Sequence, residues 1–247
     1  MDQGLLIGIF LGVVAVLSFA LFTMWKKLQS LTQGLPQNKS ESVVSKEFTR
    51  PAISSSLSLA ILSAEPTVSS AQWAWALAQK LAAGKTVLLI DAVDSQPIAQ
   101  CAEMPSLSPG QTVHYQSNLD LSYLNIKDQT SLAQLQEYKQ KWDNIVVFTD
   151  LEPGQSDLLR QCNQSLIVAN LSDQTVEQFS KGFDLIQKAA IPFAGLQIIG
   201  LDHNNSEQVM LYQLIQDHPA DLLIAPALTS QQSPEVHLDK VLSNLSI

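Results

Sequence analysis

Residues 57–92 read LSLAILSAEPTVSSAQWAWALAQKLAAGKTVLLIDA, and their reading decides the fold. Residues 57–62 form a short apolar run that suits a buried parallel strand. Residues 70–83 are rich in Ala, Leu, Gln and Trp, which predicts a helix, with Ser69 or Ser70 as its N-cap and Gly84 as its stop. Residues 86–90 (TVLLI) predict a second buried strand that ends at Asp91. Between strand and helix, Ser63 to Ser69 fall where the free N–H groups of a helix N-terminus meet an anion in many nucleotide-binding folds. That loop holds no glycine and no lysine.

Outward from this unit, strand-like and helix-like stretches keep alternating. Strands are expected at 119–124, 144–149 (NIVVFT), 165–169 (SLIVA), 193–200 (FAGLQIIG) and, briefly, 222–225. Helices are expected at 131–141, 155–161, 175–190, 207–216 and 234–244. Residues 95–118 contain Pro and Ser and read as irregular with a short helix. The alternation predicts an α/β fold: a mostly parallel sheet with helices on both faces. In such sheets ligands bind beyond the carboxyl ends of the strands, here 63–69, 91–95, 150–154, 170–173 and 201–206.

Residues 4–25 (GLLIGIFLGVVAVLSFALFTMW) run about 22 residues without a charge, enough for one membrane-spanning helix. Trp25, Lys26 and Lys27 follow as an interfacial anchor and a positive flank, which places the main domain in the cytoplasm. No signal-peptide cleavage pattern closes the run. Gly4, Gly8 and Gly12 share one face, a small-residue pattern suited to helix–helix association in the membrane. The expected organisation is an anchor (1–27), a flexible polar linker (28–56) and a cytoplasmic domain (57–247). A spacer role fits the linker; docking by 43–48 is the alternative. The net charge is −9, with 14 Lys and Arg scattered along the chain, which argues against a nucleic-acid partner. Cys101 and Cys162 show no metal or redox spacing and read as buried free thiols.

Four stretches carry a resemblance to a known family: SAEPTVSSAQWAWALAQKLA, KTVLLIDAVDSQP, YKQKWDNIVVFTDLEPG, and SLIVANLSDQTVEQFSKGFDLIQKAAIPFAGLQIIGLDHN. In this order they resemble the MinD/ParA group of P-loop ATPases, which includes the bacterial tyrosine kinases of capsule and exopolysaccharide synthesis. The resemblance implies a P-loop NTPase-like fold over about 170 residues. The family's loop, roughly K-G-G-x-G-K-[ST], cradles phosphates with backbone N–H groups and lysines. Laid over this chain, it meets Glu65, Pro66, Thr67, Ser69, Ser70 and Ala71. Glu65 brings like charge toward a triphosphate, and Pro66 lacks an N–H. Thr67 and Ser69 place side chains where glycines allow close approach. Ser70 replaces the phosphate-binding lysine, and Ala71 replaces the magnesium-binding hydroxyl. The family's second carboxylate falls on Phe148. Of the acidic motifs, Asp91 survives, with Asp94 nearby. It reads either as a residual site for a metal-bound water or as a strand-end cap for the following loop, and the second reading is preferred.

The other constellations are weak. His114, His203, His218 and His237 show no metal spacing, and no G-x-S-x-G motif occurs. Trp73 and Trp75 point to different faces of the first helix, so one is expected on the sheet and the other at the surface or against a partner. No tyrosine follows Tyr212, where tyrosine kinases of this group carry a C-terminal cluster. The expectation is a membrane-anchored, catalytically inactive relative with no cofactor and no metal. It would serve as a scaffold or regulatory subunit in a bacterial inner-membrane assembly such as polysaccharide synthesis or export. Its expected partners are the membrane, itself or an active paralogue, and envelope components. Two alternatives remain: an unorthodox ATPase or tyrosine kinase using Glu65, Asp91 and Asp150, and a sensor for another small ligand at the strand ends.

Overall fold

Every residue of the first strand, β1 (Leu57–Ser63), is buried, as is every residue of β2 (Val87–Asp91) and β5 (Asn144–Thr149). Strands apolar on both faces need cover on both, and this sequence meets that need with helices. The computed structural model describes residues 57–63, 66–125, 129–152, 156–171, 176–217, 222–229 and 231–245. The apolar segment 4–25 with Gly4, Gly8 and Gly12, the linker 28–56, and Glu65 lie outside the described residues. Among the described residues, no helix is long and apolar enough to cross a membrane.

The remaining strands are β3 (Thr112–Gln116), β4 (Leu119–Tyr123), β6 (Gln164–Asn170) and β7 (Phe193–Ile199). Together they form a seven-stranded sheet of order β3-β4-β2-β5-β1-β6-β7. All pairings are parallel except β3 with β4. The helices are α1 (Val68–Ala82), α2 (Pro97–Cys101), α3 (Gln129–Tyr138), α4 (Ser156–Leu159), α5 (Val176–Ala189), α6 (Ser206–Gln216) and α7 (Leu238–Asn244).

Strand periodicity sorts the core into two layers. Leu57, Leu59 and Ile61 of β1 join Val87, Leu89, Val146, Phe148, Leu166 and Val168 in one cluster. That cluster packs against α1 and α7. The alternate residues, among them Ala60, Leu62, Leu88, Ile90, Val147 and Ile167, are buried on the opposite face. There α5 comes close at Gly182, where a Cβ would stand 3.0 Å from Ile167 Cδ1. Also on that face, Tyr138 of α3 reaches Ser122 and the Gly110 carbonyl with its hydroxyl, at 3.4 and 3.3 Å. A fully buried large apolar side chain contributes roughly 1.5–3 kcal/mol, so these two layers dominate stability.

Several expectations need correction. Residues 95–118 hold the expected short helix, α2, and also the antiparallel strand β3, which the irregular reading did not include. Residues 222–225 form no strand. Leu223 makes only an isolated bridge with Leu196, because Leu196 exchanges backbone hydrogen bonds with Leu222 and Ile224 and the chain then leaves at Pro226. The terminal helix begins at Leu238 rather than at 234. Neither tryptophan of α1 is exposed. Trp73 is buried beside the C-terminal segment, and Trp75 meets Tyr115 of β3 edge-on, with ring centroids 4.7 Å apart. Cys162 is buried, but Cys101 is only half-buried.

Candidate functional site

The strand ends that would hold a ligand are the carboxyl ends of β1, β2, β5, β6 and β7, together with the start of α1. Ser63 closes β1 and is 1% exposed. The helix then starts early. Its N-cap is Thr67, with extended backbone (φ −80°, ψ 166°), rather than Ser69 or Ser70. Thr67 Oγ1 accepts from Ser70 N–H at 3.4 Å, and the Thr67 carbonyl accepts from Ala71 N–H at 3.0 Å. The physical reason lies in Pro66–Thr67. Proline fixes an extended entry and supplies no N–H, and threonine is a good N-cap. From Pro66 and Thr67 the chain passes straight into helix.

Of the positions that answer to the phosphate-binding motif, Ser70 and Ala71 are buried, at 1% and 0% exposed. The Ser70 hydroxyl donates back to the Thr67 carbonyl at 3.0 Å. It is occupied by its own helix turn rather than aimed at a ligand. Ser69 is exposed and Thr67 partly so. Structure and sequence thus agree that no cationic side chain stands among the described residues of this loop.

Asp91 ends β2 and is 3% exposed. Its Oδ1 accepts from Val93 N–H at 3.2 Å, and its Oδ2 accepts from Ile98 N–H at 2.8 Å. The carboxylate therefore fastens the 92–96 loop and the start of α2, as the preferred cap reading expected. Burial pushes its carboxyl up to about 7, against backbone N–H bonds from Ile98, Val93 and Ala99 that pull it down. Beside it in register stands Phe148, 0% exposed, whose carbonyl accepts from Ala92 N–H at 2.9 Å. Phe148 contacts the apolar cluster under α1; a carboxylate at this position would be desolvated in hydrocarbon. Asp150, just beyond, accepts from Glu152 N–H at 3.2 Å in a local turn. Asp91 and Asp150 both lie at strand ends, but each serves its own loop. Among the described residues, no group of three or more His, Cys, Asp or Glu is placed to hold a metal ion.

A concavity joins three of the strand-end segments where a ligand was expected, through Ser69, Asn170 and Asp202. A cleft of about 410 Å³ opens between the start of α1, the ends of β6 and β7, and Leu228, Thr229, Gln232 and Pro234. Ser69, Gln72 and Trp73 form one wall, and Asn170, Gly200 and Asp202 form the other. Gly200 has φ +69°, and a Cβ there would lie 2.5 Å from Asn170 Oδ1, so glycine is what lets the Asn170 side chain stand. The Gln208 side chain accepts from Asp202 N–H at 2.9 Å and fixes the 201–205 loop. Trp73 Nε1–H is buried without a hydrogen-bond partner. Among the described lining residues Asp202 is the only charged one. A cleft without a cation does not neutralise a triphosphate; it suits an uncharged, hydrogen-bonding guest. The one sequence signal for it was the set of polar residues after the last two strands.

Comparison with known proteins places this fold. No family model matches the sequence, and no curated protein is similar to it in sequence. Solved structures are similar in fold. A plasmid partition protein from Borrelia burgdorferi is 18% identical, with a TM-score of 0.59 over 77% of this chain and 96% of that one. MinD in the MinC:MinD cell division complex of Aquifex aeolicus gives 15% identity and a TM-score of 0.59, over 77% and 96%. The kinase domain of the Escherichia coli tyrosine kinase ETK gives 17% and 0.51, over 63% and 71%. The architecture is that of the MinD/ParA-type P-loop proteins, tyrosine kinases included. The likeness is one of fold, and the chemistry rests on the residues themselves.

Proposed function

We propose that this chain is a membrane-anchored relative of the MinD/ParA-type P-loop ATPases that has lost ATP chemistry and serves as a scaffold or regulatory subunit. The observation that carries this reading is the state of the phosphate end of the sheet. Ser70 is turned into its own helix, Asp91 into its own loop, and Phe148 fills the place of a carboxylate. Triphosphate binding needs free N–H groups, a lysine and a metal held by an acid and a hydroxyl, and the described residues supply none of these together. The apolar segment 4–25 supports an inner-membrane location with the α/β domain in the cytoplasm. The kinship in fold with a tyrosine kinase supports an envelope process, such as polysaccharide synthesis or export. Partners would be a second copy, an active paralogue or envelope components. Calorimetric titration of the full-length protein in detergent with ATP–Mg tests this. No heat and no phosphate release are expected; micromolar binding or turnover would overturn it.

A second reading is favoured by one observation, the 410 Å³ cleft at the strand ends with Gln72, Asn170 and Gln208 in its lining. In it the strand ends still bind a small uncharged ligand and the protein is a sensor. A ligand at 100 times its Kd stabilises a protein by about 2.7 kcal/mol. A thermal-shift screen of nucleosides and neutral sugars that moves no transition would remove this reading and leave the first untouched.

A further inference from the structure

Helix α6 follows β7 and reads SEQVMLYQLIQ, yet of its 11 residues only Gln208 and Ile215 are buried. A surface helix normally turns its apolar stripe inward and its polar residues to water. Three observations fix which face of α6 is turned inward. The Gln208 side chain accepts from Asp202 N–H at 2.9 Å. The Tyr212 hydroxyl accepts from Ala227 N–H at 3.4 Å. Ile215 is 5% exposed. The inner positions are thus held by a glutamine, a tyrosine and one isoleucine. On the outer face stand Met210 and Leu214, 39% and 38% exposed, neighbours one turn apart. The usual distribution is inverted, and large apolar side chains face water.

The stripe is acidic at both ends. Glu207 comes three residues before Met210 and Asp217 three after Leu214, and both are exposed. At helical periodicity these spacings set Glu207, Met210, Leu214 and Asp217 on one line along the outer face. No Lys or Arg occurs in α6. From residue 57 onward the chain holds more than twice as many Asp and Glu as Lys and Arg. A second copy fits this line poorly. Laid antiparallel or parallel, a second α6 would bring carboxylate against carboxylate at each end, and like charges at that spacing repel. The anionic surface of a membrane leaflet repels carboxylates too. What matches is the complement: two apolar side chains one turn apart, with a Lys or Arg beyond each. Such a match orients a partner and suppresses wrong ones.

We propose that the outer face of α6 docks an amphipathic helix of a partner protein whose facing stripe runs base, apolar, apolar, base. Met210 and Leu214 supply affinity as they leave water. Glu207 and Asp217 supply selectivity, against acidic partners and against a second copy. The scaffold reading thereby gains a docking face. That face does not depend on what binds at the strand ends, so the ATP titration and the test below fail separately.

The test is NMR on the full-length protein in phosphatidylcholine nanodiscs, labelled with 13C-methyl methionine. The Met210 signal is identified by its loss in Met210→Leu. The probe is an alanine- and glutamine-based helical peptide of about 20 residues. It carries Lys, Leu, Leu and Lys at spacings of three, four and three, and its control carries Glu for both Lys. A saturable shift of the Met210 methyl is expected with the lysine peptide, and at least about tenfold weaker binding of the glutamate peptide. The double variant Glu207→Lys, Asp217→Lys changes only exposed side chains, so it keeps native spectra and should reverse that order. No saturable shift, equal affinity for the two peptides, or an unreversed order in the double variant would each overturn the proposal. A Met210 signal that moves with protein concentration would overturn it in favour of a second copy. One relaxed by a nitroxide-labelled lipid would overturn it in favour of the membrane surface.

Discussion

Asp91 is a carboxyl group whose charge works against folding, and this is measurable. In the unfolded chain it titrates near its ordinary 3.8; in the folded chain burial raises it to about 7. Below pH 3.8 both states hold the proton. Between pH 3.8 and 7 the unfolded chain releases it while the folded chain keeps it, so stability falls as pH rises. Above pH 7 the difference is constant. Three pH units at 1.36 kcal/mol each make this loss about 4 kcal/mol. Asp91→Asn cannot titrate. It also turns an NH2 group toward one of the two N–H donors, Val93 or Ile98, which costs about 1–3 kcal/mol at every pH. Urea denaturation of both proteins from pH 4 to pH 8 should therefore show wild type ahead at pH 4, with its lead shrinking by about 4 kcal/mol by pH 8 and the order reversing there. A wild-type-minus-variant difference that is flat, or that grows with pH, would refute the argument.

Three further substitutions address the same end of the sheet. Phe148→Asp, which restores the family's acid, should destabilise by at least about 3 kcal/mol in denaturant melts, since it trades a buried aromatic for a desolvated charge, and should confer no ATP binding in the calorimeter. Thr67→Ala removes the N-cap acceptor of α1 and should lower stability by about 1 kcal/mol by the same melts. Gly200→Ala forces a side chain onto φ +69° and against Asn170; a loss of about 1–2 kcal/mol is expected, with a changed environment for Trp73 in near-ultraviolet circular dichroism.

The central strands were legible because they are continuous apolar runs: 144–149 was read from NIVVFT with the bounds it has in the structure. The strand β3 was not, because its side chains are mostly exposed. TVHYQ lies on an edge, pairs on one side only, and shows no apolar alternation to read. The start of α1 was misplaced because the helix was read from its Ala, Leu, Gln and Trp-rich run, with Ser69 or Ser70 as the cap. Pro66–Thr67, one turn upstream, carries the stronger helix-start signal, a proline-fixed entry followed by a capping threonine. Asp91 accepts from Val93 and Ile98 N–H, since an acid at a strand end beside a turn has backbone donors within reach. The strand-end position of the 410 Å³ cleft was legible from the alternation of strands and helices; the walls of the cleft were not. They arise where residues as distant as Ser69 and Gln232 are brought together, and no spacing in a single sequence reports that.

The strand order β2-β5-β1 has a consequence for how the chain is made. The first two strands to emerge are not neighbours; the place between them belongs to β5, which is translated more than fifty residues after β2 ends. Until Asn144–Thr149 arrives, β1 has no pairing partner at all, and α1 has only half a surface on which to lie. At roughly 5–20 residues per second, the nascent domain spends seconds with Leu59, Ile61 and the two tryptophans of α1 uncovered. Ribosome-bound chains stopped before residue 144 should therefore be chaperone substrates and protease-sensitive, and those extended past β6 should not.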